Sequence, residues 1–408
     1  MIFSFMQQRA SSSHCYDVIV AGGGPAGLYS ALLLARRGFD VALFEEHETV
    51  GQPVHCTGVL AAEAYDELDI PTEAILNTLS TVRFFAPCGD VVSYTTPQLE
   101  AVVIDRRLFD DHLHVRAAQA GVAISAGCRV TDVASDAHGV SVSFADGTSL
   151  RGRACILACG ANYAFQRRLG LGMPAVFLQS AQLECPASPF EDVEVHFGHA
   201  VAPSGFAWAV PVRRGAASFA RIGLMCNANA ARHFEYFVRS VGSRLGVRRS
   251  SDPDLPEPRQ KILPLAPLRK TFANRILAVG DAAGLVKATT GGGIYYSLLS
   301  AGIAADVLAD ALASDTLGEA HLERYQRAWR ARLGPELEAQ LSLRMLANRL
   351  SDDEIDMLFE LAQTDGIMPI VRRTAAFNRH RNLILSLLSH PPARRVLMRR
   401  VLGWGRTA

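Results

Sequence analysis

Two glycine-rich stretches carry the residue types that could grip a phosphate-bearing ligand: Gly22-Gly-Gly-Pro-Ala-Gly27 near the start and Gly280-Asp-Ala-Ala-Gly284 in the second half. The first follows a strand-like run, Asp17-Val-Ile-Val-Ala21, and opens a helix-like run over 28–37. Glycines at 22, 24 and 27 permit a tight turn, close approach of backbone to a pyrophosphate, and close packing of helix on strand. The exposed N–H groups and the positive end of the helix dipole then face the phosphates. A second strand, Asp40-Val-Ala-Leu-Phe44, ends at Glu45, 21 residues after Gly24, where a carboxylate can accept ribose hydroxyls. A glycine-rich turn alone arises by chance. Strand, turn, helix, strand and acid in this order point to a dinucleotide.

The second stretch says which dinucleotide. Arg275-Ile-Leu-Ala-Val-Gly-Asp281 is again a buried-strand pattern ending in an acid, followed by Gly291-Gly-Gly-Ile294 and a long apolar helix. A nicotinamide domain needs no such distant return, whereas the ribityl chain and isoalloxazine of FAD extend beyond the pyrophosphate and need their own partners. Asp281 is placed to hold a ribityl hydroxyl. The helix opening at Gly292 and Gly293 can stabilise negative charge on the pyrimidine edge of a reduced flavin. Alone, the second stretch also reads as an ordinary strand and turn.

The segment from Glu45 and Glu46 through Gly51-Gln-Pro-Val-His-Cys56-Thr57-Gly58 resembles the geranylgeranyl reductase family, which carries an acid and then G-x-P-V-x-C near the flavin. The far motif, from Gly280 to Ile294, resembles that family's GDAAG…P..GGGI, with Ala288 where proline is usual. Arg106-Arg-Leu-Phe-Asp110 resembles its R-x-x-F-D helix start. Gly205-Phe206-Ala-Trp208-Ala-Val-Pro211 resembles its Y-x-W-x-F-P motif, with Phe for Tyr and Val for Phe. The likeness spans roughly residues 15 to 310, and 320–408 match no motif. The resemblance implies a fold like that of para-hydroxybenzoate hydroxylase and an FAD-dependent reductase of C=C bonds in prenyl chains of a lipid or quinone. Carried over by position, the FAD contacts include Pro25, Ala26, Glu45, Glu46, Cys56, Thr57, Gly58, Arg106, Gly280, Asp281, Gly292, Gly293 and Ile294, with Val130 beside the adenine. Phe206, Trp208 and Pro211 would line the substrate pocket.

Reduction of an alkene needs a hydride on one carbon and a proton on the other. Cys56 is the candidate proton donor, its alternatives being a thiol merely near the flavin or a small buried hydrophobe. His55 reads as a hydrogen-bonding turn residue, with a catalytic role as the alternative. Lys287 either offsets phosphate or reduced-flavin charge or is a solvated lysine. NAD(P)H, lacking a second fingerprint, would visit transiently as electron donor; a ferredoxin-like protein is the other candidate. Two competing functions stand beside the reductase. An oxygen-using hydroxylase or halogenase is disfavoured by Ala158-Cys-Gly-Ala-Asn162, which lacks the usual D-G, and by the absence of lysine before Lys261. A flavoprotein passing electrons to quinone would need a partner, since no iron–sulfur spacing is present.

These residues require an α/β framework: a Rossmann-like FAD-binding domain over 16–160 and 273–315, an inserted mixed antiparallel-sheet substrate domain over 161–272, and a helical C-terminal region over 316–408. Helices are expected near 61–75, 105–120, 229–245, 292–313, 319–349, 352–363 and 367–389, with Pro391-Pro392 before a last short one. Strands are expected over 81–96 and at 176–184, 192–198, 206–212 and 217–225. Among 408 residues the net charge is +1, so there is no nucleic-acid footprint. Eight cysteines without a CxxC pair argue against zinc and for a reducing cytosol. No signal peptide is expected from the first 15 residues, nor a transmembrane helix. From 366 to 408 there are nine arginines and no Asp or Glu. That suits docking on an anionic membrane face, or helices packed on the body with arginines in solvent.

Overall fold

The computed structural model describes residues 14–247, 256–364 and 366–399. The expected end of the arginine-rich segment, including Trp404, lies outside the described residues.

The first layer is an eight-stranded sheet. Its main path runs Phe272–Ala273, Ile276–Ala278, Ser149–Leu157, Cys15–Ala21, Val41–Phe44, Ala123–Ser125, and Val140–Phe144 and Val130–Ser135 branch from it. Cys15–Ala21 pairs parallel with both Val41–Phe44 and Ser149–Leu157. Such strands are covered on both faces and so read as unbroken apolar runs rather than alternating ones; Val18, Ile19, Val20, Cys155 and Ile156 are all fully buried. The helix Pro25–Ala35 packs on this sheet, and Ile294–Ala313 packs on Pro25–Ala35. Ile294–Ala313 is the one described helix long and apolar enough to cross a membrane, yet 67% of its apolar window is buried inside the molecule.

The second layer is a seven-stranded sheet in the order Arg259–Pro264, Phe177–Pro186, Ala217–Cys226, Phe206–Arg214, Val193–His196, Thr81–Phe85, Val91–Thr95. It therefore draws on residues outside 161–272. Thr81–Phe85 pairs parallel with Val193–His196, a join between segments far apart in sequence. Ala230–Leu245 covers this sheet with Phe234, Phe237 and Val241.

Between the layers sits a three-stranded sheet of Val59–Ala61, Ala101–Ile104 and Ile75–Leu79. It corrects the helix expected over 61–75. Only Glu63–Glu67 is helical there, because Leu60 and Ala61 pair with Val102 and Ala101 and tertiary pairing overrides local helix propensity. Asp105 caps Arg106–Gln119 as expected, its carboxylate accepting the Leu108 amide at 3.1 Å.

The C-terminal region is helical: Glu319–Ala347, Asp352–Gln363, Met368–Thr374, Arg381–Ser389 and Pro391–Met398. The helix expected over 367–389 is two, divided by a loop at 375–380. Glu319–Ala347 runs on through Pro335 and is tied to the first sheet by Tyr325, whose hydroxyl donates to the Ala278 carbonyl at 2.8 Å. Trp329 donates its indole N–H to Thr271 Oγ1 at 2.9 Å.

Candidate active site

A cleft of about 980 Å³ runs from the glycine turn, between the two sheets, to the C-terminal helices. Of the expected residues, Gly22, Gly24, Pro25, Ala26, Glu45, Glu46, Cys56, Thr57, Gly58, Arg106, Val130, Asp281, Gly292, Gly293, Ile294, Phe206 and Trp208 all line it. Gly27, Gly280 and Pro211 do not. A side chain on Gly27 would meet the Gly22 carbonyl oxygen at 2.0 Å, so this glycine serves helix-on-strand packing. Gly280 has φ +58° and packs on Ser297 and Ala26, behind the cleft. Pro211 falls on the wrong phase of its strand: Phe206, Trp208 and Val210 alternate into the cleft, and Pro211 turns to the other face.

The turn is built for close approach. Gly22 has φ +113°, and a Cβ there would stand 2.3 Å from the Ala158 oxygen. Gly24 is different, since a Cβ there would meet nothing within 4 Å and would project into the open cleft. Glu45 Oε2 accepts the Gly23 amide at 2.7 Å, while Oε1 accepts the His47 amide at 3.0 Å. The helices Pro25–Ala35 and Ile294–Ala313 begin at Gly24 and Gly293 with no side-chain cap and no acid in the first turn. Their first amides, which helix geometry leaves without partners, are thus open to an anion. Asp281 stands at the second of these ends: Oδ1 is 2.9 Å from where a Gly293 Cβ would lie, and Oδ2 is 3.2 Å from Lys261 Nζ. Two uncapped helix starts, a carboxylate at each glycine turn and an open strip over Gly24 fit the pyrophosphate, ribose and ribityl groups of FAD.

Cys56 lies between these ends. Its Sγ accepts the Gly58 amide at 3.3 Å and contacts the Arg106 guanidinium, which is paired with buried Asp110 at 3.0 Å. Beside it, His55 Nδ1 is buried and without a partner among the described residues. Burial, then Lys261, Arg259 and His47, lower the His55 pKa, keeping it neutral near pH 7. Thr57 donates to Gln182 at 3.0 Å, and the Thr57 carbonyl accepts from buried Arg221 at 2.6 Å, so this segment is anchored to the second sheet. Trp208 lies against Gly223, where a Cβ would stand 2.5 Å from its ring, and its indole N–H is also unpartnered.

Sequence reasoning missed the far wall of the cleft. Leu343, Phe359, Met368, Val371, Leu383 and Ile384, from four C-terminal helices, close it with apolar side chains. Their signal was an apolar face on each of those helices that needed a partner. Lys261 was missed too, although it is one of only three lysines. Lys287 is buried rather than solvated.

Residues 16–163 match the family model described as pyridine nucleotide-disulphide oxidoreductase. Digeranylgeranylglycerophospholipid reductase of Methanocaldococcus jannaschii is 28% identical over 364 residues, covering 86% of this chain and 92% of that protein. Digeranylgeranylglycerophospholipid reductase 2 of Methanothermobacter thermautotrophicus is 29% identical, covering 84% and 90%. The chain is an FAD-dependent oxidoreductase that is similar, over most of its length, to digeranylgeranylglycerophospholipid reductases. The fold agrees. The geranylgeranyl bacteriochlorophyll reductase-like protein of Thermoplasma acidophilum superposes with a TM-score of 0.80 at 19% identity, covering 96% of this chain and 99% of that one. The halogenase PltM, in complex with phloroglucinol and FAD, reaches 0.64 at 15% identity, covering 93% and 85%. The glycine-turn end of the cleft is the end whose residues fit FAD, and the apolar end lies beyond them.

Proposed function

We propose that this protein reduces C=C bonds in the prenyl chains of a lipid or an isoprenoid quinone. The observation that carries this reading is the continuity of the cleft: one end suits FAD, and the other is walled by Trp208, Phe206 and the apolar faces of the C-terminal helices. An extended hydrocarbon chain is the ligand such a wall fits, because it gains by leaving water and asks for no hydrogen bonds. The names of the relatives in the two methanogens support a lipid over a quinone.

When bound and reduced, FAD supplies the hydride. Cys56 Sγ is the proton source for the second carbon, positioned by the Gly58 amide and the Arg106 guanidinium. Trp208 and Phe206 orient the chain, and Leu383, Ile384 and their neighbours exclude water. Electrons come from outside the chain, from NAD(P)H visiting transiently or from a ferredoxin-like protein. Anaerobic reduction by each donor in turn distinguishes them.

The experiment is reoxidation of the reduced holoenzyme, without oxygen, by a geranylgeranylated phospholipid and by menaquinone, with mass analysis of lipid that copurifies. Two-hydrogen mass increments in the lipid support the reading; no reoxidation by either sinks it. We place the protein in the cytoplasm, peripheral on the inner membrane face, on the strength of its arginine-rich end. Ala393, Val396 and Leu397 of the last described helix are buried, so that helix would dock through its arginines. Failure to float with anionic vesicles removes the membrane part alone.

A further inference from the structure

Lys287 sits in the loop between the second glycine stretch and Gly291, and is only 4% exposed. Its Nζ donates to the Phe377 carbonyl at 3.1 Å and to Asn378 Oδ1 at 3.0 Å, and lies 4.3 Å from the centre of the Phe377 ring. All of these partners are neutral, and the ammonium has no ion pair among the described residues. The nearest carboxylates act one residue removed. Glu63 accepts from Asn378 at 3.0 Å and is paired with Arg379 at 2.6 Å, while Glu336 accepts the Arg381 amide at 3.0 Å. On its other side the lysine folds over the glycine turn. Its amide donates to the Gly292 carbonyl at 3.0 Å, and Nζ lies 3.5 Å from where a Gly292 Cβ would stand.

A buried cation held by neutral oxygens is costly unless a charge completes its surroundings. The Gly292 and Gly293 turn is where the helix Ile294–Ala313 offers its positive end to the cleft. Addition of two electrons and one proton to FAD leaves one net negative charge on the ring system. A fixed cation beside that edge favours the reduced form over the oxidised one.

We propose that Lys287 is a positioning residue that raises the reduction potential of the bound FAD, and that the 375–380 loop holds it there through Phe377 and Asn378. The inference rests on the FAD site and not on the identity of the substrate, so it survives if the prenyl reading fails. Burial lowers the Lys287 pKa to about 8, despite Glu63 and Glu336. His380, the other titratable group facing it, is neutral, its pKa pushed to about 4 by burial and by Lys287.

The test is the potential of the holoenzyme against a reference dye, in wild type, Lys287→Met, Lys287→Gln and Lys287→Arg, with FAD affinity measured alongside. At pH 7 the neutral variants are expected to show a reduced-to-oxidised ratio at least ten-fold lower at a given potential. For a two-electron couple that is about 30 mV. Arginine should restore it, and affinity for oxidised FAD should change little. Wild type gives an independent reading if a variant loses FAD. Above pH about 8 its potential should fall more steeply with pH, as Lys287 takes up a second proton on reduction, and the gap to the neutral variants should close. Equal potentials in wild type and the neutral variants overturn the proposal, as does a wild-type slope that never steepens at alkaline pH. A purely structural clamp would lower thermal stability and leave the potential unmoved.

Discussion

Glu45 Oε2 accepts the amide of Gly23 at 2.7 Å, so the acid that ends the second strand also holds the glycine turn in shape. Glu45→Gln keeps the size and removes the charge that both the turn and a ribose would use. A hydrogen bond to a charged group contributes about 1.5–3 kcal/mol, so the dissociation constant for FAD should rise roughly ten- to 150-fold. Equilibrium ultrafiltration of the flavin measures it, and unchanged affinity would remove Glu45 from the site.

The glycines of the turn separate into two kinds. Gly22→Ala meets both a positive φ and the Ala158 carbonyl, and should cost the apoprotein about 3 kcal/mol or more. Gly24→Ala meets nothing, so it should leave the melting temperature of the apoprotein alone and weaken FAD binding more than ten-fold. Calorimetry of the two apoproteins checks the contrast. Equal melting temperatures would contradict this account of the turn.

Cys56→Ala should retain FAD and be reduced by an artificial donor at a normal rate, while turnover of a prenyl substrate slows by about 10²–10⁴, the range for loss of general acid catalysis. Single-turnover reoxidation isolates that step. A variant that reduces substrate at the wild-type rate removes the thiol from the mechanism.

Acid should loosen the join between the seven-stranded sheet and the helix Arg106–Gln119. Arg214 bridges Glu184 at 2.8 Å and also contacts Asp105, the cap of that helix, while Arg221 binds Glu184 at 2.6 Å. Burial opposes ionisation of Glu184 and Asp105, but the arginines outweigh it and hold both pKa values below the ordinary carboxylate range. Carboxylates with depressed folded-state pKa values stabilise the protein above their unfolded values, near 4, and that contribution fades as pH falls through the folded ones. Melting temperatures should therefore drop more steeply below pH about 4 in wild type than in Arg214→Met, and parallel curves would exclude this cluster as the cause.

The glycine turns, Asp281 and the Asp105 cap were legible because each is a local pattern whose geometry a few neighbouring residues determine. The strands near 81–95 were legible as strands but not as members of the second sheet, since their parallel partner begins at Val193 and nothing local announces it. The helix expected over 61–75 failed for the same reason: Ala101–Ile104 recruits its first residues into a ladder. Pro211 was misassigned by taking a motif whole where a period of two would have separated it from Trp208. The apolar wall from Leu343 to Ile384 depends on how four helices pack, which no single segment reveals.

The parallel pairing of Thr81–Phe85 with Val193–His196 also bears on how the chain is made. As synthesis proceeds from the N-terminus, the early strand leaves the ribosome and waits for a neighbour not yet translated. Neither sheet can therefore be completed before the other is well under way. Dissection into two separately expressed halves at residue 160 would strand that edge, and each fragment should be prone to associate through it.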